Sequence, residues 1–234
     1  MYSFIDIETD NLLRECTVVH CAVAFMEDSQ QFNIYPSDTY PTMELWLESL
    51  SGYTLVAHNG INFDFPALKK LHNFTYDIDE VVDTLILSRV YFPDREGHSL
   101  EWWGSHLNFP KGNHSDWSKF SQEMLTYCKR DVEVLRRVFY TLEEEGKGWD
   151  WKEPVRLSKR FADIITRQEL HGVLFNTVKA EELVGKLEQE VAEIEGKILA
   201  SIPSKVVQSG ATVNKPFLKT GGYTKQVESW IKTL

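Results

Sequence analysis

Tyr2-Ser3-Phe4-Ile5-Asp6-Ile7-Glu8-Thr9 opens the chain and decides how the rest is read. The segment is short, apolar and partly alternating, the pattern of a buried β-strand. It ends on two carboxylates two residues apart. Side chains at i and i+2 of a strand point to the same face, so Asp6 and Glu8 share one. Two like charges on an apolar strand repel each other and are costly to bury, and a bound divalent cation would offset that cost. On this segment alone the opposite reading stays open: the strand ends here and both acids are solvated.

Outward from this strand, residues 17–25 are rich in β-branched side chains and Gln31–Tyr35 alternates, which predicts a three-stranded meander. Pro41 is expected in the first turn of a helix carrying Met43, Leu45, Trp46, Leu47 and Leu50. Thr54–Ala57 reads as a short buried strand. Residues 65–71 read as a helix with Pro66 in its first turn. Residues 80–83 suggest another short strand leading into a helix over Thr84–Tyr91. Ser99 is expected to cap a helix containing Leu100, Trp103 and Leu107. Residues 110–118 are polar and punctuated, hence a loop. Ser121 is expected to cap a long helix to about Glu145, because Met124, Leu125, Val132, Leu135, Val138, Phe139 and Leu142 recur at helical spacing. Gly146 and Gly148 end it. Strands followed by alternating helices and strands predict an α/β or α+β domain with a mixed sheet.

Residues 149–154 mark a boundary, dividing the chain into a domain over 1–150 and a segment over 151–234. The segment predicts helices over 155–171 and 177–200, split by Gly172, and little regular structure from Pro203 to Val227. Its apolar residues Ile164, Ile165, Leu170, Leu183, Leu187, Val191 and Ile198 are more than two free helices comfortably expose.

Two further signals sit downstream of the first. Asp64 follows a strand and a polar stretch at the start of a helix, where either a ligand group or a plain helix cap fits. Tyr127 and Asp131 lie four residues apart on the long helix and so share a face. The face is either the rim of a pocket or plain surface.

Taken in order, the three signals are a strand D-x-E within residues 4–9, the sequence Asn59-Gly60-Ile61-Asn62-Phe63-Asp64, and Tyr127-Cys128-Lys129-Arg130-Asp131. The set resembles the three exonuclease motifs of the DEDD superfamily. It is similar to the tyrosine subclass, since the position where the histidine subclass needs its His is Thr126. Residues 58–68 (HNGINFDFPAL), 83–89 (DTLILSR) and 98–104 (HSLEWWG) resemble the proofreading domain of phage family A, polymerase I-like, DNA polymerases. Residues 167–176 (RQELHGVLFN) are similar to the region where such enzymes pass into the polymerase domain.

The resemblance implies a ribonuclease H-like mixed β-sheet flanked by helices, with a C-terminal helical appendage. It implies a 3′–5′ exodeoxyribonuclease that removes nucleotides from DNA 3′ ends by two-metal phosphodiester hydrolysis, with Mg²⁺ or Mn²⁺ as the two ions. Asp6 is then expected to bridge both ions. Glu8 and Asp131 complete the site of the nucleophile-bearing ion, Asp64 holds the other largely through water, and Tyr127 orients the attacking water. Thr9, Leu12, Leu13, Asn59, Asn62 and His98 are the expected substrate contacts, with Leu12 or Leu13 wedged against the terminal base. Phe63 and Trp103 are read as packing residues, Asp10 as a turn residue, and Lys129 and Arg130 as flanking charges. The implied partners are single-stranded DNA 3′ ends and the remaining polymerase domain or a separate polymerase subunit, in the cytoplasm of an infected bacterium. The chain ends before a palm or fingers, so no polymerisation is expected of it. An RNA-processing exonuclease of the same subclass and a docking subunit of a split polymerase are the alternative readings.

Composition sets limits on these readings. The chain has 25 Lys and Arg against 35 Asp and Glu, a formal charge of −10. Residues 1–150 carry −13 of this and residues 151–234 carry +3. Such a balance disfavours an unaided grip on a long duplex, whose affinity comes from phosphate contacts. A small metal site that takes only a strand end is allowed. No stretch approaches the ~20 apolar residues of a membrane span, and the N-terminus has no signal-peptide pattern. Cys16, Cys21 and Cys128 fit no zinc spacing and read as reduced, partly buried thiols.

Overall fold

The structure, a computed structural model, describes residues 1–201 and 216–233. It divides into two compact units, Met1–Val173 and Leu174–Leu234. In the first, β1 (Tyr2–Thr9), β2 (Val19–Met26) and β3 (Gln31–Tyr35) form the antiparallel meander. On the other side of β1, β4 (Thr54–Ala57) pairs parallel to it and β5 (Val82–Asp83) parallel to β4. The order β3-β2-β1-β4-β5 puts β1 in the centre.

A central strand covered on both faces has apolar residues on both. Ile5 and Ile7 enter one core with Trp46, Phe65 and Leu68, and Phe4 enters a second with Trp103, Val132 and Phe139. The alternation puts Asp6 and Glu8 on the face of Phe4. The first core is closed by α1 (Met43–Glu48) and α2 (Asp64–His72). The second is closed by α4 (Leu100–His106) and the long α5 (Gln122–Glu145), and α3 (Thr84–Tyr91) contributes to both. Ser99 and Ser121 cap α4 and α5 by accepting from the N–H groups of Trp102 and Met124. The start of α1 differs from expectation. Thr42, not Pro41, stands at the cap, where its hydroxyl accepts from Leu45 N–H at 3.4 Å.

Helix α6 (Lys152–His171) belongs to the first unit and begins three residues earlier than its sequence suggests. Lys159 is buried and donates to the carbonyls of Asp79 and Val81, each at 2.9 Å, and Thr166 donates to Asn62 Oδ1 at 2.7 Å. These bonds join α6 to the loops preceding β5 and α2. Ile164 and Leu170 stay exposed.

The second unit holds α7 (Thr177–Ser201), whose Leu183, Leu187, Val191 and Ile198 are exposed, and α8 (Lys225–Thr233). Residues 202–215, in the stretch expected to lack regular structure, lie outside the described residues. Phe217 and Tyr223 form an isolated bridge, and α8 starts two residues ahead of Val227. Among the described residues no helix is long and apolar enough to cross a membrane.

Candidate metal centre

The first two acids reach the end of the central strand at an irregularity. Glu8 pairs with Cys21 but Thr9 pairs with Val19, so His20 bulges from β2. A bulge twists a strand locally and re-aims its side chains. Asp64 arrives from the parallel neighbour. After β4 the chain turns through Asn59, at φ 66°, and Gly60, where a Cβ would lie 2.4 Å from that of Ala57. The buried Asp83 carboxylate holds this loop by accepting from the N–H groups of Asn59 (2.9 Å) and Ile61 (3.1 Å), and also from Leu85 (3.0 Å) in α3. Asp64 then opens α2. It is the first helical residue and buried, and Phe63 takes the cap position with no side-chain cap bond. The nearby Ile7 N–H of β1 lowers its carboxyl in part against the effect of burial.

Helix α5 supplies the rest. Cys128 faces the sheet and its thiol donates to Asp6 O at 3.4 Å. One helical turn on, Asp131 is buried, while Tyr127 is half-buried on the same face. Donor atoms of Asp6, Glu8 and Cys128 all lie within 4.8 Å of one another, and Asp64 and Asp131 are close enough for their charges to act on both Asp6 and Glu8. The four acids therefore converge at one end of the sheet, outside the carboxyl ends of its parallel strands, where ligands of such sheets usually bind.

Their protonation reflects the crowding. Burial, then the charges of Glu8, Asp131 and Asp64, raise the Asp6 carboxyl well above its ordinary value. Burial, with Cys21, Asp131 and Asp64 adding to it, pushes Glu8 up to about 9. Burial lifts Asp64 to about 7 and raises Asp131, although Lys111 opposes the latter. Asp131 Oδ1 is buried with no hydrogen-bond partner in the structure. Such an arrangement suits a hard divalent cation, which takes carboxylate oxygens. Burial raises the Cys128 thiol well above its ordinary value, and the thiol is engaged in its bond to Asp6 O. The four acids supply the oxygen donors. Tyr127 is pushed up to about 12 by burial, with Lys111 lowering it in part, so the phenol keeps its proton at pH 7.

Beside Glu8 lies a cavity of about 290 Å³ lined by Thr9, Asp10, Asn11, Leu12, Phe63 and Trp117. Of the two leucines, Leu12 is 73% exposed and lines it, whereas Leu13 is buried in the core. Thr9 is at the cavity and donates to Asn11 O at 2.6 Å. Asn59 and Asn62 bond each other at 2.8 Å, and Asn62 also accepts from Thr166. His98 is bonded to Ser88 Oγ at 2.8 Å, which also accepts from Trp103 Nε1. Asp10 accepts from the N–H groups of Thr17 and Val18, which fixes its turn. Lys129 lies over Phe32, and Arg130 lies over Phe109 and donates to Pro110 O.

Two residues at the site carried no signal in the sequence. Trp117 walls the cavity with its ring 5.7 Å from that of Tyr127, and Lys111 pairs with Asp131 Oδ2 at 2.7 Å. Both come from the polar loop before α5, where a Trp or Lys is indistinguishable from ordinary surface.

The chain is similar to several known proteins. Residues 3–102 match the family model of an RNase_H superfamily domain. The chain is 27% identical over 267 residues to the DNA-directed DNA polymerase of Escherichia phage T7, an alignment covering 88% of this chain and 38% of that protein. It thus spans well under half the length of that relative. Over 108 residues it is 32% identical to the PolC-type DNA polymerase III of Mycoplasma genitalium, covering 43% of this chain and 7% of the relative. Among solved structures it is similar to Brucella melitensis NrnC with bound Mg²⁺ (TM-score 0.56, 20% identity, 73% of this chain and 86% of that one). The fold is ribonuclease H-like: a mixed five-stranded sheet flanked by helices, with a C-terminal helical part.

Proposed function

We propose that the RNase H-superfamily domain of this chain is a metal-dependent 3′–5′ exonuclease of the tyrosine subclass, acting on single-stranded DNA 3′ ends as the proofreading part of a phage-type DNA polymerase. One observation carries the reading: four convergent carboxylates raised in pKa by burial and by one another, with one buried oxygen of Asp131 left without a partner. That arrangement is costly unless a cation completes it. The similarity to DNA-directed DNA polymerases favours DNA over RNA as the substrate.

Asp6, Glu8 and Asp131 would hold one Mg²⁺ or Mn²⁺, and Asp6 with Asp64 a second. Two such ions align and stabilise the attacking and leaving oxygens of an in-line phosphodiester displacement. The chain's own residues do the remaining work. With its proton retained, Tyr127 donates a hydrogen bond and orients the incoming water; it is no base at pH 7. The leaving group is the 3′ oxygen of the penultimate nucleotide. Leu12, Phe63 and Trp117 wall the cavity beside Glu8 and offer the terminal base an apolar and aromatic surface. Thr9 contributes from the same cavity. Residues 151–234 are read as the start of the polymerase portion, and a polymerase domain or subunit is the proposed partner.

The Asp6→Ala, Glu8→Ala double variant is expected to lose cleavage while keeping its fold, measured by nuclease assay and circular dichroism. Full activity in a folded double variant contradicts the assignment.

A further inference from the structure

Among the described residues, Lys111 makes the one ion pair to any of the four acids. It is not a loose surface side chain. Its loop is pinned on both sides: Phe109 N–H donates to Gly104 O at 2.8 Å, and Arg130 Nε donates to Pro110 O at 2.9 Å. The Lys111 backbone nitrogen packs so closely on Gly104 that a Cβ there would come within 3.1 Å of it. From this anchorage Nζ reaches Asp131 Oδ2 at 2.7 Å and lies 4.8 Å from the centroid of the Tyr127 ring. Asp131 is thus divided between two directions. Lys111 takes Oδ2, and Oδ1 is the buried oxygen with no partner.

We propose that Lys111 is a positioning residue of this centre, fixing the Asp131 carboxylate and the Tyr127 ring in one geometry while its charge lowers the affinity of the acid cluster for divalent cations. The proposal rests on reading the cluster as a metal centre. A rigid partner on one carboxylate oxygen sets the rotamer that presents the other. A fixed positive charge a few ångströms away repels a cation placed among the acids. It also changes the charge balance. Four carboxylates and two divalent ions sum to zero, and Lys111 leaves one positive unit to meet the single negative charge of a phosphodiester.

The test is Mn²⁺ titration by calorimetry of wild type, Lys111→Met and Lys111→Arg, with steady-state kinetics at saturating metal. Lys111→Met is expected to bind Mn²⁺ about tenfold tighter, from removal of one nearby like charge, while its kcat falls. Lys111→Arg keeps the charge and is expected to bind Mn²⁺ within about twofold of wild type. If Lys111→Met fails to fold, the same comparison is made with Lys111→Gln. Unchanged or weaker Mn²⁺ binding in the neutral variant overturns the role of Lys111 but leaves the metal centre standing. Absence of Mn²⁺ binding in wild type overturns the metal centre itself.

Discussion

Replacing Asp64 by Asn should make the metal-free protein more stable, and by an amount that depends on pH. Asp64 is 4% exposed, and its pKa of about 7 compares with about 3.9 for an unfolded Asp. The folded state therefore retains a proton that the unfolded state has released. Stability must fall as pH rises from about 4 towards 7 and then level off, because the folded form binds more protons in that window. At about 1.4 kcal/mol per pKa unit the full cost approaches 4 kcal/mol. Relaxation among neighbouring acids reduces it, so about 2–4 kcal/mol is the working range. Asn keeps the shape but carries no charge. In EDTA at pH 8, Asp64→Asn should melt about 5–15 °C above wild type, taking about 2–4 °C per kcal/mol for a chain of this size. Near pH 4 the gap should close. Mn²⁺ should narrow the gap from the other side by stabilising the wild type more. Thermal melts from pH 4 to 9, with and without Mn²⁺, read all of this. A variant less stable than wild type at pH 8, or a gap independent of pH, would refute the claim that Asp64 is held under electrostatic stress.

Asp83→Ala is expected to do the reverse, losing about 3–5 kcal/mol in chemical denaturation with no rescue by Mn²⁺, because three or more backbone N–H groups lose a buried acceptor. Tyr127→Phe should slow cleavage about 10- to 1000-fold in single-turnover assays, leaving Mn²⁺ affinity near that of wild type. An unchanged rate would remove the phenol from the reaction.

The arrangement of strands was readable because each rule acted locally. An apolar run with period two fixed β1 and its faces, and Ser99 and Ser121 marked their helices by a capping bond that spans three residues. The acids became informative only as an ordered set, since a strand end, a helix start and a helix face are separately common. What the sequence withheld depends on paths through space. Leu12 and Leu13 are neighbours with the same side chain, and only the turn held by Asp10 sends one to the cavity and the other to the core. Asn62 accepts from Thr166, 104 residues away, a contact that no local pattern records. Lys111 and Trp117 sit in a loop whose course is set by contacts with α4 and α5, and no periodicity records those.

The most direct measurement follows a single-stranded DNA labelled at its 3′ end or at its 5′ end, incubated with the protein and Mg²⁺. The account predicts immediate release of labelled mononucleotide from the 3′-labelled strand. The 5′-labelled strand should shorten one nucleotide at a time, and EDTA should abolish both effects. Release of mononucleotide first from the 5′ label, internal cuts, or undiminished cleavage in EDTA would contradict it.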